Sequence, residues 1–221
     1  CGFAYSWCNY GATILQNCDP HAPQKHPAPC YTRIYREESV LHSNIEIPLP
    51  NKKYNIIYAD PPWSYQGNMM NSSVVDHYKV MKLKDICNLK VNNIAANNCI
   101  LFMWVTLPKL NEFMKVINSW NFIYKSTAFV WCKKNKKADS FFMGLGRWTR
   151  ANPEICVLAT KGKPKRLSNS IRQLQIFPIE QHSKKPEQFK DLIIKLVGDL
   201  PRIELFARQR TEGWDCWGNE V

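Results

Sequence analysis

The sequence predicts an α/β domain with a central, mostly parallel, doubly wound sheet and helices on both faces, and three observations carry that expectation. Contiguous apolar runs at 54–59 and 99–105, rich in β-branched and aromatic residues, read as buried strands. Apolar residues then recur at helical spacing, first Leu107, Leu110, Phe113, Met114 and Ile117, later Phe189, Leu192, Ile193, Leu196 and Val197. Finally, the runs at 54–60 and 202–208 end in charge, on Asp60 and Arg208. In an open α/β sheet, ligands bind outside the carboxyl ends of strands where the order reverses, and two polar-ended strands suit that position if they are neighbours.

At 221 residues the chain has room for one such domain and an appendage. Thirty Lys and Arg against 18 Asp and Glu give a net charge of +12, which points to a polyanionic partner. No apolar run is long enough to span a bilayer, and the first thirty residues lack the basic-then-apolar layout of a signal peptide. Cys87, Cys99, Cys132, Cys156 and Cys216 fall singly inside expected strands or helices, where Cys serves as a small apolar filler. That usage implies a reducing, intracellular compartment and no membrane partner.

Residues 1–46 form an extension distinct from the domain at 47–221. They hold Cys1, Cys8, Cys18, Cys30, His21, His26 and a Pro-rich stretch, and begin on Cys rather than Met, as a processed, truncated or fragmentary chain would. Cys18-x-x-His21, His26 and Cys30 are enough ligands for zinc. Their spacing matches no standard finger and lacks a Cys-x-x-Cys anchor, so a loosely ordered extension without metal is expected.

The expected strand at 54–60 delivers Asp60-Pro61-Pro62-Trp63. A carboxylate there costs stability unless the sheet's edge uses it. The two prolines lack N–H groups and fix φ, so no helix starts at once. The corner is expected to present one carboxylate, proline carbonyls without local partners, and an indole. Such a set can grip a flat molecule bearing an amino group, accepting its N–H groups and stacking on its ring. A plainer alternative has Asp60 capping a turn and Trp63 filling a pocket. The polar stretch 64–73 then reads as a lid over the corner, and 82–88 as a short helix. Trp104, Phe113 and Trp120 read as core.

Strands follow at 122–131 and 154–160, with an edge strand at 174–178. Lys133 to Lys137, Gly146-Arg147-Trp148-Thr149-Arg150 and the second basic cluster Lys161 to Arg166 mix cations with aromatics and glycines, a composition suited to phosphates and unstacked bases. Lys185, with Pro186 and Glu187, opens the helix at 186–197, where anions collect at a helix N-terminus. Residues 214–220 read as a tail. No Gly-x-Gly-x-x-Gly occurs, which argues against nicotinamide, flavin and P-loop chemistry.

The four-residue corner, Ser183-Lys184-Lys185-Pro186, Ile203 to Arg208, and Trp217-Gly218-Asn219-Glu220 together resemble the MT-A70 family of adenine-N6 methyltransferases, from about Lys53 to the end. The likeness is nearest to its phage and bacterial DNA members. The resemblance implies a Rossmann-like methyltransferase fold with circularly permuted motifs, catalytic motif first and cofactor motif last. It implies S-adenosylmethionine as cofactor, with Lys185 on its carboxylate, Asp60 reaching its amino group, and Arg208 and Asn219 toward ribose and adenine. Glu220, Phe206 and Arg210 would lie on the same side. Asp60, Pro61, Pro62 and Trp63 would be catalytic, and Tyr78, Lys133, Arg147 and Glu154 would face the target. The reaction implied is methylation of adenine N6 in nucleic acid, DNA favoured over RNA, by a homodimer, a heterodimer with a related subunit, or a single chain. The alternatives are an RNA enzyme, a non-catalytic nucleic-acid-binding subunit, or an enzyme acting on a small nucleotide or a protein amide.

Overall fold

A computed structural model describes residues 47–64, 80–146, 148–180 and 184–221. The extension at 1–46, the expected lid from 65 onward with Tyr78, and Arg147, His182 and Ser183 lie outside the described residues.

The sheet has seven strands in the order β5-β3-β4-β2-β1-β6-β7. Its hub is β1 (Tyr54–Ala59), parallel to β2 (Ala95–Val105) on one side and to β6 (Arg202–Leu205) on the other. Ala59 therefore lies opposite both Met103 and Leu205. Side chains alternate between faces along each strand, and each face is closed by helix. Ile57, Leu101 and Met103 pack in one cluster with Ile86 of α1 (Leu83–Asn88) and Val116 and Ile117 of α2 (Phe113–Ser119). Ile56, Tyr58 and Phe102 pack in the other with Phe189, Ile193 and Val197 of α3 (Gln188–Val197). Phe189 centres an aromatic group, its ring 4.8 Å from Trp104 and 5.3 Å from both Phe129 and Phe177.

Three expectations are corrected, and a fourth holds with one departure. The helical pattern at 107–117 splits into a 3-10 turn, Leu107–Lys109, and α2, with Pro108 unable to supply an interior N–H. The sheet is mostly parallel, as expected, and the departure is β4 (Glu154–Lys161), which runs antiparallel to both β2 and β3 (Ile123–Lys134). No described helix lies between β3 and β4, so the chain turns back on itself instead of crossing over. The strand expected at 202–208 stops at Leu205, because Phe206 takes the left-handed conformation at φ 62°. Arg208 thus sits in a loop. Lastly, the tail contains a strand, β7 (Asp215–Trp217), parallel to β6 at the sheet's edge. β5 (Leu174–Pro178) closes the opposite edge, parallel to β3, where the pattern put it.

The five internal cysteines are free thiols on strands and helices, Cys216 on the unexpected β7, and Cys99 and Cys156 are fully buried. Among the described residues no helix is long and apolar enough to cross a membrane.

Candidate active site

After β1 leads into β2 on one side, the chain returns to place β6 and β7 on the other, so the order reverses at β1. Asp60 follows β1 at its carboxyl end, and its amide points to the Leu205 carbonyl that ends β6. Arg208 follows three residues later, close enough that its charge lowers the proton affinity of Asp60. The two strand ends expected to share a pocket are therefore adjacent, although about 145 residues separate them in the chain.

At this edge the charges form a chain. Lys185 Nζ lies 2.6 Å from Asp60 Oδ2 and 3.1 Å from Glu154 Oε2, while Lys133 Nζ lies 2.5 Å from Glu154 Oε1. Lys185 is 7 % exposed at its side chain and Asp60 27 %, so the acid is the member that faces outward. Each ammonium also lies near an indole, Lys185 5.4 Å from the Trp104 ring centre and Lys133 5.0 Å from that of Trp131. Burial pushes Asp60 above the ordinary aspartate value, with Lys185 opposing and Glu154 reinforcing the shift. Burial would also raise Glu154, but the ammoniums of Lys185 and Lys133 hold it below the ordinary glutamate value. Burial would lower Lys185, and the two carboxylates overcome that to hold it above the ordinary lysine value. One carboxylate is thereby fixed as an anion, and the other is left able to take a proton.

The corner differs from expectation in two respects. Neither proline carbonyl lacks a local partner: Pro61 O accepts from Trp63 N at 2.9 Å, and Pro62 O from Met81 N at 2.8 Å. Each carbonyl keeps a second lone pair for a ligand. Trp63 is 5 % exposed and its indole N–H donates to Trp104 O at 3.1 Å, so it buttresses the corner more than it offers an open stacking face. Trp104 is core, as expected. It also donates its own indole N–H to Tyr58 Oη at 2.7 Å.

The residues expected on the cofactor side gather beside this chain, with one exception. The Ala207 amide donates to Trp217 O at 3.0 Å, and the Phe206 and Trp217 rings meet edge to face at 5.6 Å. Gly218 permits this contact, since a Cβ there would lie 2.4 Å from Ala207 O. Partly buried Arg208 and exposed Asn219 and Glu220 are thus carried by two touching segments. Arg210 is the exception. It lines a groove of about 490 Å³ with Tyr54 and Asp215, which open β1 and β7, at the other end of those strands.

On the target side, Lys133 and Glu154 belong to the charge chain. Sequence reasoning missed Asn152, whose side chain exchanges hydrogen bonds with both backbone groups of Lys133, at 2.9 and 2.8 Å, and holds it opposite Glu154. The signal available was Asn152-Pro153-Glu154, a string that resembles the family's substrate-side loop; it marks the loop but not these hydrogen bonds. Lys136, Lys137 and Arg150 are exposed here, and Trp148 is 99 % exposed. The second basic cluster lies elsewhere: Glu154 begins β4 at the site and Lys161 ends it at the far end of the sheet, so Lys163, Lys165 and Arg166 are remote from Asp60.

An acid just after the first strand of a Rossmann-like sheet, met at the carboxyl edge by cations from late in the chain, defines the class: a methyltransferase-type α/β domain with its motifs in permuted order. The family model described as MT-A70 matches residues 54–220, and the chain belongs to the MT-A70 family. It is 39 % identical over 193 residues to the Mycoplasma "Type II methyltransferase M.MunI", covering 78 % of this chain and 80 % of that one. It is 28 % identical to the human "N(6)-adenine-specific methyltransferase METTL4", with 84 % of this chain matched to 42 % of the relative. It is 23 % identical to the Pyricularia oryzae "N6-methyladenosine RNA methyltransferase MTA1", with 76 % matched to 47 %. The chain spans less than half the length of the last two.

Proposed function

We propose that the chain transfers a methyl group from S-adenosylmethionine to the exocyclic N6 of adenine in DNA. The observation that carries this reading is the shared edge of β1 and β6, where Asp60, Lys185 and Arg208 converge. The donor set fits the cofactor: a carboxylate suits its ammonium, two cations suit its carboxylate, and exposed Asn219 and Glu220 are polar groups for a ribose. S-adenosylmethionine supplies, when bound, a methyl on cationic sulfur; an N–C bond forms as the C–S bond breaks and sulfur keeps the electron pair.

The chain's own task is to make N6 a better nucleophile. Its lone pair is delocalised into the purine ring. Asp60 Oδ and the remaining lone pair of Pro61 O accept the two N6–H groups, which favours a pyramidal nitrogen and frees that pair. Fixing N6 in line with the methyl supplies much of the remaining rate. After transfer the surplus N6 proton passes to Asp60 or through it to water. Lys185 takes one acceptor site on Asp60 Oδ2, so the carboxylate keeps sites for the N6–H groups, and Glu154 shares Lys185 from the other side. Adenine stacked in a duplex is out of reach, so the target is flipped or unpaired, with Lys136, Lys137 and Arg150 on its backbone and Trp148 free to stack. DNA is favoured because identity is higher to the type II methyltransferase than to the RNA methyltransferase.

Incubation of the whole chain with methyl-labelled S-adenosylmethionine and duplex DNA, single-stranded DNA or RNA, followed by mass spectrometry of the nucleosides, tests the proposal. N6-methyladenine from DNA is expected. Label confined to RNA would transfer the reading to the RNA class, and absence of both cofactor binding and label in any polymer would point to a non-catalytic subunit. Arg208→Ala is expected to weaken cofactor binding by about tenfold, the loss of one charge-assisted contact. Unchanged affinity by calorimetry would remove Arg208 from the cofactor side.

A further inference from the structure

Lys190 of α3 is a lysine that neither the corner nor the charge chain uses, yet its side chain is only 6 % exposed. Its ammonium is 2.6 Å from Glu204 Oε2 on β6 and 3.1 Å from Glu187 Oε2 at the start of α3, and it donates to Thr211 Oγ1 at 2.5 Å. Gln209 Nε2 donates to the other oxygen of the same Glu187 at 2.7 Å. A buried ammonium is costly to desolvate and persists where opposite charges and polar groups surround it. Here those partners lie on a strand, a helix start and one loop, residues 206–213, that carries Arg208.

That loop needs support. It opens on Phe206 at φ 62°, a conformation disfavoured for a residue with a bulky side chain. From the β7 side it is held by the Ala207 to Trp217 hydrogen bond and by the close approach of Gly218. From the α3 side it is held by Lys190 through Thr211 and by Glu187 through Gln209. Arg208 sits between the two clamps. Thr211 is turned toward Lys190, which explains why a hydroxyl stands at this place in the loop.

We infer that Lys190 is a positioning residue that sets the loop bearing Arg208 for the cofactor, acting through the Thr211 hydroxyl. The inference rests on the cofactor reading above for its consequence, but the ordering of the loop does not. Two variants of the whole chain separate the roles: Thr211→Val removes the hydroxyl and keeps the shape, and Thr211→Ser restores the acceptor. In the absence of cofactor, amide hydrogen exchange at 207–210 should be faster in Thr211→Val and return to the wild-type rate in Thr211→Ser. Calorimetry with S-adenosylmethionine should show an affinity about three- to tenfold weaker in Thr211→Val only, less than a full hydrogen bond to a charged donor because the contact reaches the cofactor only through Arg208. In turnover the loss should fall on KM for the cofactor, with kcat retained. Equal exchange in Thr211→Val and wild type would overturn the inference. So would faster exchange with unchanged affinity. If the wild type binds no cofactor, the cofactor reading fails, and the exchange rates alone then decide whether Lys190 orders the loop.

Discussion

Asp60→Ala is expected to slow methyl transfer to adenine by about 10²- to 10³-fold at saturating cofactor, the usual loss when one preorganised polar group is removed from a reacting centre. Asp60 is the outward-facing member of the charge chain, and Ala removes its two acceptor oxygens without disturbing β1. Lys185 keeps Glu154 as its partner, so the variant should fold. The sign of the proton linkage agrees. Because burial raises Asp60 in the folded chain, its contribution to stability is present below the ordinary aspartate value and lost as pH rises through the raised one. Ionised Asp60 therefore serves the reaction at some expense to the fold, and its removal should leave the melting midpoint at neutral pH unchanged or higher. Activity within tenfold of wild type would show that another group handles the N6 hydrogens. A folded, cofactor-binding and inactive variant is the outcome the site requires.

The largest loss of stability among the site residues should come from Glu154→Ala. Glu154 is the shared anion between two largely buried ammoniums, at 2.5 Å from Lys133 and 3.1 Å from Lys185. Truncation strands Lys133 against the Trp131 ring and leaves Lys185 with Asp60 alone. Breaking a buried pair by removing one partner costs about 3–5 kcal/mol, since the remaining charge stays desolvated. Glu154→Gln keeps the volume and one acceptor and should cost less. The lysines hold Glu154 below the ordinary glutamate value, so its contribution is present above that value and is lost as pH falls through the lowered one. The stability gap between wild type and Glu154→Gln should therefore narrow in acid. Denaturant unfolding at neutral and acid pH measures both effects. A cost below about 1 kcal/mol for Glu154→Ala would mean the pair is solvated and contributes as little as a surface ion pair.

The parts of the fold legible in the sequence are those whose signal is local. An apolar run ending in Asp-Pro-Pro-Trp marks β1 and its corner within ten residues, and helical periodicity marks the apolar face of α3. Pro108 was equally visible, but whether a helix absorbs a proline or breaks at it depends on what packs beside it. β7 was missed because three residues cannot show a period, and its partner β6 lies ten residues upstream. The direction of β4 was missed because strand composition is the same in either orientation; the connection decides it.

The chain's own order of residues determined which chemical groups are present and which stand at the ends of strands: a carboxylate and two proline carbonyls after the first, an arginine after the sixth, and lysines before the last helix. Tertiary structure alone decided which of them meet. Strand order at β1 sets Asp60 beside Arg208, the turn from β3 into β4 brings Glu154 and Lys133 to Lys185, and the path of the loop after β6 carries Arg210 away toward the other end of the sheet. The physical reason is that backbone pairing and side-chain burial over the whole sheet choose neighbours, and a charged side chain takes the partners this choice leaves within about 3 Å of it.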